Sequence, residues 1–245
     1  MKEISLFIPC AVDAVLVDIG KATVNLLTHL GFDLIYHEEQ SCCGQPAFSA
    51  GHVQEGIKIA KRFIEIFEND EVIISPSGSC VATVKYTYPK ILSNEGQWHH
   101  RAMALSAKVF ELSQFLVDVA GIEDVNARFE GSLAYHKSCH VLRALGVEQP
   151  VERLLSKVRN ATLVPLEFSE ECCGFGGQFS LKYPLISEAM VSDKIKHFIA
   201  SGAQVLLVSD PGCLLNLMGY VHRHHPGLQV EHLVKFLSDH IEEGG

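Results

Sequence analysis

The chain has 245 residues, 47% apolar and 20% charged, with a formal net charge of −9, the composition of a folded protein with room for one or two cores rather than of a disordered chain. Its lysines and arginines occur as scattered pairs, which excludes the basic face that nucleic acid or an anionic membrane requires. No uncharged apolar run reaches the ~18 residues of a membrane-spanning helix.

The N-terminus, "MKEISLFIPCAVDAVLVDIG", imitates a secretion signal. Asp13 and Asp18 interrupt it and no small-residue cleavage site follows. The protein is therefore expected in the cytoplasm, where thiols stay reduced.

In chain order, "ISLFI" (4–8) reads as a first strand ending just before Cys10. The apolar spacing of "VNLLTHLG" predicts a helix over 24–31 that stops at Gly31. "FDLIYH" (32–37) is a second strand running into Cys42, Cys43 and Gly44. A helix is expected over Val53–Phe67, then a buried strand "VIIS" ending before Cys80, then a helix over Val109–Asp118.

The same order then recurs. "SLAYH" (132–136) is a strand before Cys139, "VERLLSKV" (151–158) a helix, and "ATLVPLEF" (161–168) a strand running into Cys172, Cys173 and Gly174. A helix over 185–199, the strand "QVLLVS" before Cys213 and a helix over Val230–Asp239 complete it. All eight cysteines take part, at offsets of 129, 130, 130 and 133 residues (139−10, 172−42, 173−43, 213−80). "VFELSQFLVD" also matches "VEHLVKFLSD". The expectation is an α/β protein of two tandem Rossmann-like domains, 1–125 and 126–245, with parallel sheets related by a pseudo-twofold. The cysteines then fall in loops at the carboxyl edge of each sheet, where ligands sit in such folds.

Disulfides suit neither the size nor the compartment, and adjacent cysteines have α-carbons only ~3.8 Å apart, tighter than a relaxed disulfide prefers. Cysteines serving merely as small buried apolar residues are common, but such residues scatter instead of recurring in register. Four thiolates converging on a metal in each half fit best: Cys10, Cys42, Cys43 and Cys80, and Cys139, Cys172, Cys173 and Cys213. Soft sulfur selects iron–sulfur clusters or zinc. Gly44 and Gly174 permit the sharp turn after each pair, and Gly176 and Gly177 let backbone amides approach bound sulfur. His136 and His140 flank Cys139 and could ligate or hydrogen-bond a centre, although most histidines near strand ends are simply satisfied polar groups. "HRHH" (222–225) reads as a solvated helix end. No nucleophile–base motif, phosphate loop or flavin fingerprint is present.

Taken together, "CCGQP", "SPSGSC", "CCGFGG" and the doubled order of one cysteine, a Cys-Cys-Gly and a final cysteine resemble the cysteine-rich CCG domain. Members include a subunit of heterodisulfide reductase, the iron–sulfur subunit of glycolate oxidase and the lactate-utilization protein A family, which a chain of two such domains and nothing else resembles most. The resemblance implies an iron–sulfur subunit of a cytoplasmic oxidoreductase complex oxidising L-lactate to pyruvate. Its partners would resemble lactate-utilization proteins B and C, and it would carry up to one [4Fe–4S] cluster per domain. This chain departs from the wider family where Cys-x-x-Cys has its first cysteine. Here stand Ser77 and Asp210, so the five-cysteine, non-cubane cluster of heterodisulfide reductase does not carry over. Asp210 is a candidate oxygen ligand, Ser77 a poorer one. A thiol–disulfide redox protein and a zinc-bound scaffold are the competing readings.

Overall fold

The computed structural model describes residues 3–242; the outermost ends of the two expected domains, 1–2 and 243–245, lie outside the described residues. Eight strands follow the chain: β1 (Glu3–Leu6), β2 (Asp33–Tyr36), β3 (Ile73–Ser75), β4 (Val109–Glu111), β5 (Arg128–His136), β6 (Arg159–Leu163), β7 (Val205–Val208) and β8 (Gln229–His232). They form two four-stranded sheets, β2-β1-β3-β4 and β6-β5-β7-β8, and every pairing is parallel. The strand order is the same in both, so the repeat in sequence is a repeat of topology: tandem Rossmann-like units related by a pseudo-twofold.

Local sequence explains most elements. β3 and β7, with β1 and β5 beside them, are inner strands, and every residue of β3 and β7 is buried, as the unbroken apolar runs require in a sheet covered on both faces. The helix Val53–Phe67 buries Ile57, Ala60, Phe63, Ile64 and Phe67, spaced by three and four. The helix predicted over 24–31 starts earlier, spans Val17–His29 and ends where Gly31 takes φ 82°.

The helices expected over 109–118 and 230–239 need correcting. Each segment opens as the fourth strand of its sheet, and helix begins only at Leu112 and Leu233. The sheets present open edges at β3 and β7, and backbone pairing there outweighs the helical spacing of a short segment. The residue at each switch caps the helix that follows: the Glu111 carboxylate accepts from the amides of Ser113 and Gln114, and His232 Nδ1 accepts from Val234 N.

The largest core cluster belongs to neither half alone. It joins Ile4, Leu6 and Ile74 of the first sheet to Leu133, Tyr135 and Leu207 of the second. The helix Leu233–Asp239 packs on Val17–His29, and the helical stretch after β4 packs on Glu148–Ser156. Each half thus lays its last helix on the helix that follows the other half's first strand, which holds the carboxyl ends of the two sheets close together.

Candidate metal centre

Four of the eight cysteines do lie in loops, after β2 (Cys42, Cys43) and after β6 (Cys172, Cys173). The expectation of loops is corrected for the others. Cys10 opens the short helix Cys10–Ala14, Cys80 lies in Gly78–Ala82, Cys213 lies in the first turn of Pro211–His224, and Cys139 immediately precedes the π-helical turn His140–Leu145. A helix leaving the strand end holds the side chain of its first turn more firmly than a loop would, and its free amide N–H groups favour negative charge there.

The sulfurs converge in both halves. Cys10 Sγ lies 3.5 Å from Cys42 Sγ, and Cys173 Sγ lies 3.0 Å from Cys213 Sγ; all eight thiols are free. Gly44 N donates to Cys42 Sγ and Gly174 N to Cys172 Sγ, each at 3.4 Å. Those glycines have φ of 80° and 83°, a left-handed turn that other residues adopt at a cost of about 1–2 kcal/mol. Tyr88 Oη donates to Cys43 O at 2.8 Å, and Asn216 Nδ2 donates to Cys173 O at 2.7 Å. Unrelated side chains therefore clamp the same carbonyl in each half. Sequence spacing predicted one quartet in each half; all eight cysteines also line one cavity of ≈ 280 Å³ between the halves, with Gly176 and Gly177 in its wall.

Ser77 and Asp210 turn out to be helix caps. Ser77 Oγ accepts from Cys80 N at 3.5 Å. Asp210 Oδ1 accepts from Gly212 N at 3.0 Å, and its Oδ2 accepts at 2.8 Å from Ser79 N in the other half. Both Asp210 oxygens are thus engaged by backbone amides, and the structure gives this residue the task of joining two helix starts across the interface. Capping explains why serine and aspartate stand here, since both are strong N-cap residues. Close approach at this seam also needs Gly78, where a Cβ would come 2.2 Å from Val141 Cγ2 of the second half.

His136 is the residue that sequence reasoning undervalued. One of its ring nitrogens, Cys173 Sγ and Cys213 Sγ lie within 4.8 Å of one another. The side chain is fully buried, with Nδ1 3.2 Å from Ser169 O and Nε2 without a hydrogen-bond partner. The signal was its place at the end of a predicted strand, three residues before Cys139. Strand register equates it with Phe7 in the first half: Leu6 pairs with Ile74 as Tyr135 pairs with Leu207. His140 lines the cavity, with Nδ1 3.7 Å from Cys139 Sγ.

Shared protons polarise each set. Hydrogen bonds from Cys10 and Cys43 hold Cys42 well below the ordinary thiol range, with Gly44 N adding to the effect, while Cys10 is raised. Cys172 is lowered in the same way by Cys139 and Cys173, and Cys139 is raised. The hydrogen bond from Cys173 lowers Cys213 to about 6. Thiolate is the form that binds metal. Soft sulfur donors packed at 3.0–3.5 Å, amides aimed at sulfur and an orphaned buried imidazole nitrogen together fit a thiophilic metal centre. The quartets fit an iron–sulfur cluster on the same grounds.

Comparison with known proteins agrees with this geometry. The family model described as "Cysteine-rich domain" (CCG) matches twice, over residues 4–85 and 133–218. Lactate utilization protein A of Oceanobacillus iheyensis is 42% identical over 242 residues, spanning 99% of both chains. The protein of the same name from Anoxybacillus flavithermus is 44% identical over 236 residues, covering 96% of this chain and 99% of its own. A hypothetical protein from Helicobacter pylori, known from a crystal structure, superposes over 100% of this chain with a TM-score of 0.70 at 11% identity. This chain spans half the length of that one, and the likeness supports the fold alone.

Proposed function

The chain belongs to the lactate utilization protein A family, and from that premise we propose that it is the iron–sulfur electron-transfer subunit of a cytoplasmic complex oxidising L-lactate to pyruvate. The observation that carries this reading is the single cavity lined by eight free cysteines in two quartets. In this reading Cys10, Cys42, Cys43 and Cys80 of the unit 1–125 hold one [4Fe–4S] cluster. Cys139, Cys172, Cys173 and Cys213 of the unit 126–245 hold the other. When bound, such clusters supply reversible one-electron redox chemistry.

The chain's own residues position and tune. Gly44 N and Gly174 N donate to ligand sulfur, and Tyr88 and Asn216 fix the carbonyls of Cys43 and Cys173. No lysine or arginine is among the described residues lining the cavity, so it offers no cationic grip on a carboxylate. Oxidation of the hydroxy acid is accordingly assigned to partners resembling lactate-utilization proteins B and C, with this chain carrying the electrons.

Anaerobic purification followed by iron, sulfide and zinc analysis and electron paramagnetic resonance tests the reading. Up to eight iron atoms per chain are expected, about four per [4Fe–4S] cluster. Stoichiometric zinc without iron would overturn it in favour of a structural Cys₄ site.

A further inference from the structure

The helix Pro184–Ser201 buries a lysine. Lys194 is 1% exposed, as buried as its neighbours Val191 and Ile195. A lysine this deep is rare unless its charge is answered. Its one hydrogen bond runs from Nζ to the carbonyl of Phe168. Phe168 is one of three non-glycine residues with positive φ among the described residues, at 52°, and such a conformation in a bulky residue persists only where its surroundings impose it. Four residues further on come Cys172 and Cys173. The same helix face packs directly on that loop: Ser187 Oγ donates to Gly174 O at 2.8 Å, and a Cβ on Gly174 would meet Ser187 O at 2.7 Å. Burial lowers the pKa of Lys194, and the groups that counter this and favour its charged form are Glu171, Cys173, Cys172 and Cys213.

The first half shows what the fold needs without this cation. Its corresponding helix buries Gly56, Ile57, Ala60, Phe63, Ile64 and Phe67, where the second buries Ser187, Val191, Lys194, Ile195 and Phe198, so that all but Ile57 recur at an offset of 131 residues (187−56, 194−63, 198−67). The burial pattern thus sets Lys194 opposite Phe63. Phe63 stacks edge-on against Phe7 with ring centroids 4.7 Å apart, and Phe7 is itself the counterpart of His136. An aromatic pair behind one quartet is replaced by a histidine and a lysine behind the other. Packing alone does not call for the lysine, since an apolar residue fills that place in the repeat.

We propose that Lys194 is a positioning residue of the second site, holding the Cys172–Cys173 loop through the Phe168 carbonyl and making that site the more readily reduced of the two. The inference rests on the iron–sulfur reading above. One-electron reduction of a centre held by the second quartet would add one negative charge within electrostatic reach of Lys194, whose side chain is itself shielded from solvent. That stabilises the reduced form and raises the potential. The first quartet, backed by Phe7 and Phe63, receives no such help. An electron supplied by the lactate-oxidising partner would then rest preferentially on the second site.

The test is a reductive titration of anaerobically reconstituted protein, followed by electron paramagnetic resonance, in wild type, Lys194→Met and Lys194→Gln. Lys194→Met removes both charge and donor; Lys194→Gln keeps a donor without charge. Two waves are expected in wild type, assigned by Cys43→Ser and Cys173→Ser. In both Lys194 variants the upper wave should fall by at least tenfold in its reduction equilibrium, 59 mV for one electron, while the lower stays in place. Equal movement of both waves, or none, would overturn the proposal. Hydrogen exchange of the metal-free protein gives a readout that needs no cluster. Lys194→Met should speed exchange of the amides of residues 169–174 at least tenfold, leaving residues 39–44 unchanged. If wild-type protein binds no iron, the electron-transfer reading has failed, and unchanged exchange at 169–174 then also overturns the role of Lys194.

Discussion

The two halves share a strand order, a cysteine order and the turn at Gly44 and Gly174, yet they differ in what stands behind the cysteines. Behind the first quartet lies an aromatic cluster: Phe63 contacts Phe7, Phe67 and Tyr88 at centroid distances of 4.7, 4.6 and 5.7 Å. Behind the second lie His136 and Lys194, both buried. The interface repeats the contrast, with buried Glu111 ending β4 and buried His232 ending β8. Duplication conserved the geometry that gathers thiols while the electrostatics around them diverged. A scaffold of this kind keeps its shape with either surrounding because shape comes from the sheets and the shared core, whereas charge acts only locally.

The sharpest way to separate the halves is to disable one. Cys173→Ser exchanges a soft thiolate for a hard hydroxyl of nearly the same size. It should abolish the spectroscopic signal of the second site and lactate-dependent electron transfer, leaving about half the iron. Cys43→Ser should do the converse to the first site. Loss of both signals from either variant would show that the sites do not load independently.

Phe63→Ala removes the centre of the aromatic cluster and should cost about 3–5 kcal/mol in urea unfolding of the metal-free protein. Lys194→Met, which replaces a buried charge by an apolar chain, should cost far less or even stabilise. Similar losses from the two would contradict the contrast between an apolar and a charged backing.

Glu111 and His232 are expected to give opposite pH dependences. Burial raises Glu111 from 4.5 to about 7. The folded state therefore holds a proton that the unfolded chain releases, and stability falls as pH rises from about 4.5 to 7. Burial lowers His232 from 6.5 to about 4. The unfolded chain then binds the extra proton, and stability rises with pH between about 4 and 6.5. Each effect spans about 3 kcal/mol at 1.36 kcal/mol per pH unit, so the two largely cancel between about 4.5 and 6.5. Glu111→Gln should expose the rising limb and His232→Asn the falling one, measured by urea unfolding at a series of pH values; two flat profiles would refute both assignments.

The smallest difference concerns the caps. Ser77→Ala should cost about 1 kcal/mol, as for an ordinary N-cap. Asp210→Ala also leaves Ser79 N without its partner in the other half, and about 2 kcal/mol is expected from the cap and the lost charge-assisted bond together. Equal costs in urea unfolding would mean that the bond across the interface contributes nothing.

The sequence by itself determined the duplication, the alternation of strand and helix, the eight thiols and their grouping into two quartets. These are matters of spacing and of local pattern, which a linear chain displays directly. It also showed the turns at Gly44 and Gly174, because adjacent cysteines directed at one site leave the backbone little choice. Tertiary structure alone decided that both quartets open into one cavity, since only the packing of each half's last helix on the other half brings the sheet ends together. It decided that 109–111 and 229–232 are edge strands, because a partner edge outweighs weak local preference. It turned Ser77 and Asp210 into caps and placed His136 and Lys194 behind the second quartet. A histidine at a strand end and a lysine in a helix look ordinary in a sequence; their burial, and therefore their electrostatic weight, exists only once the chain has closed over them.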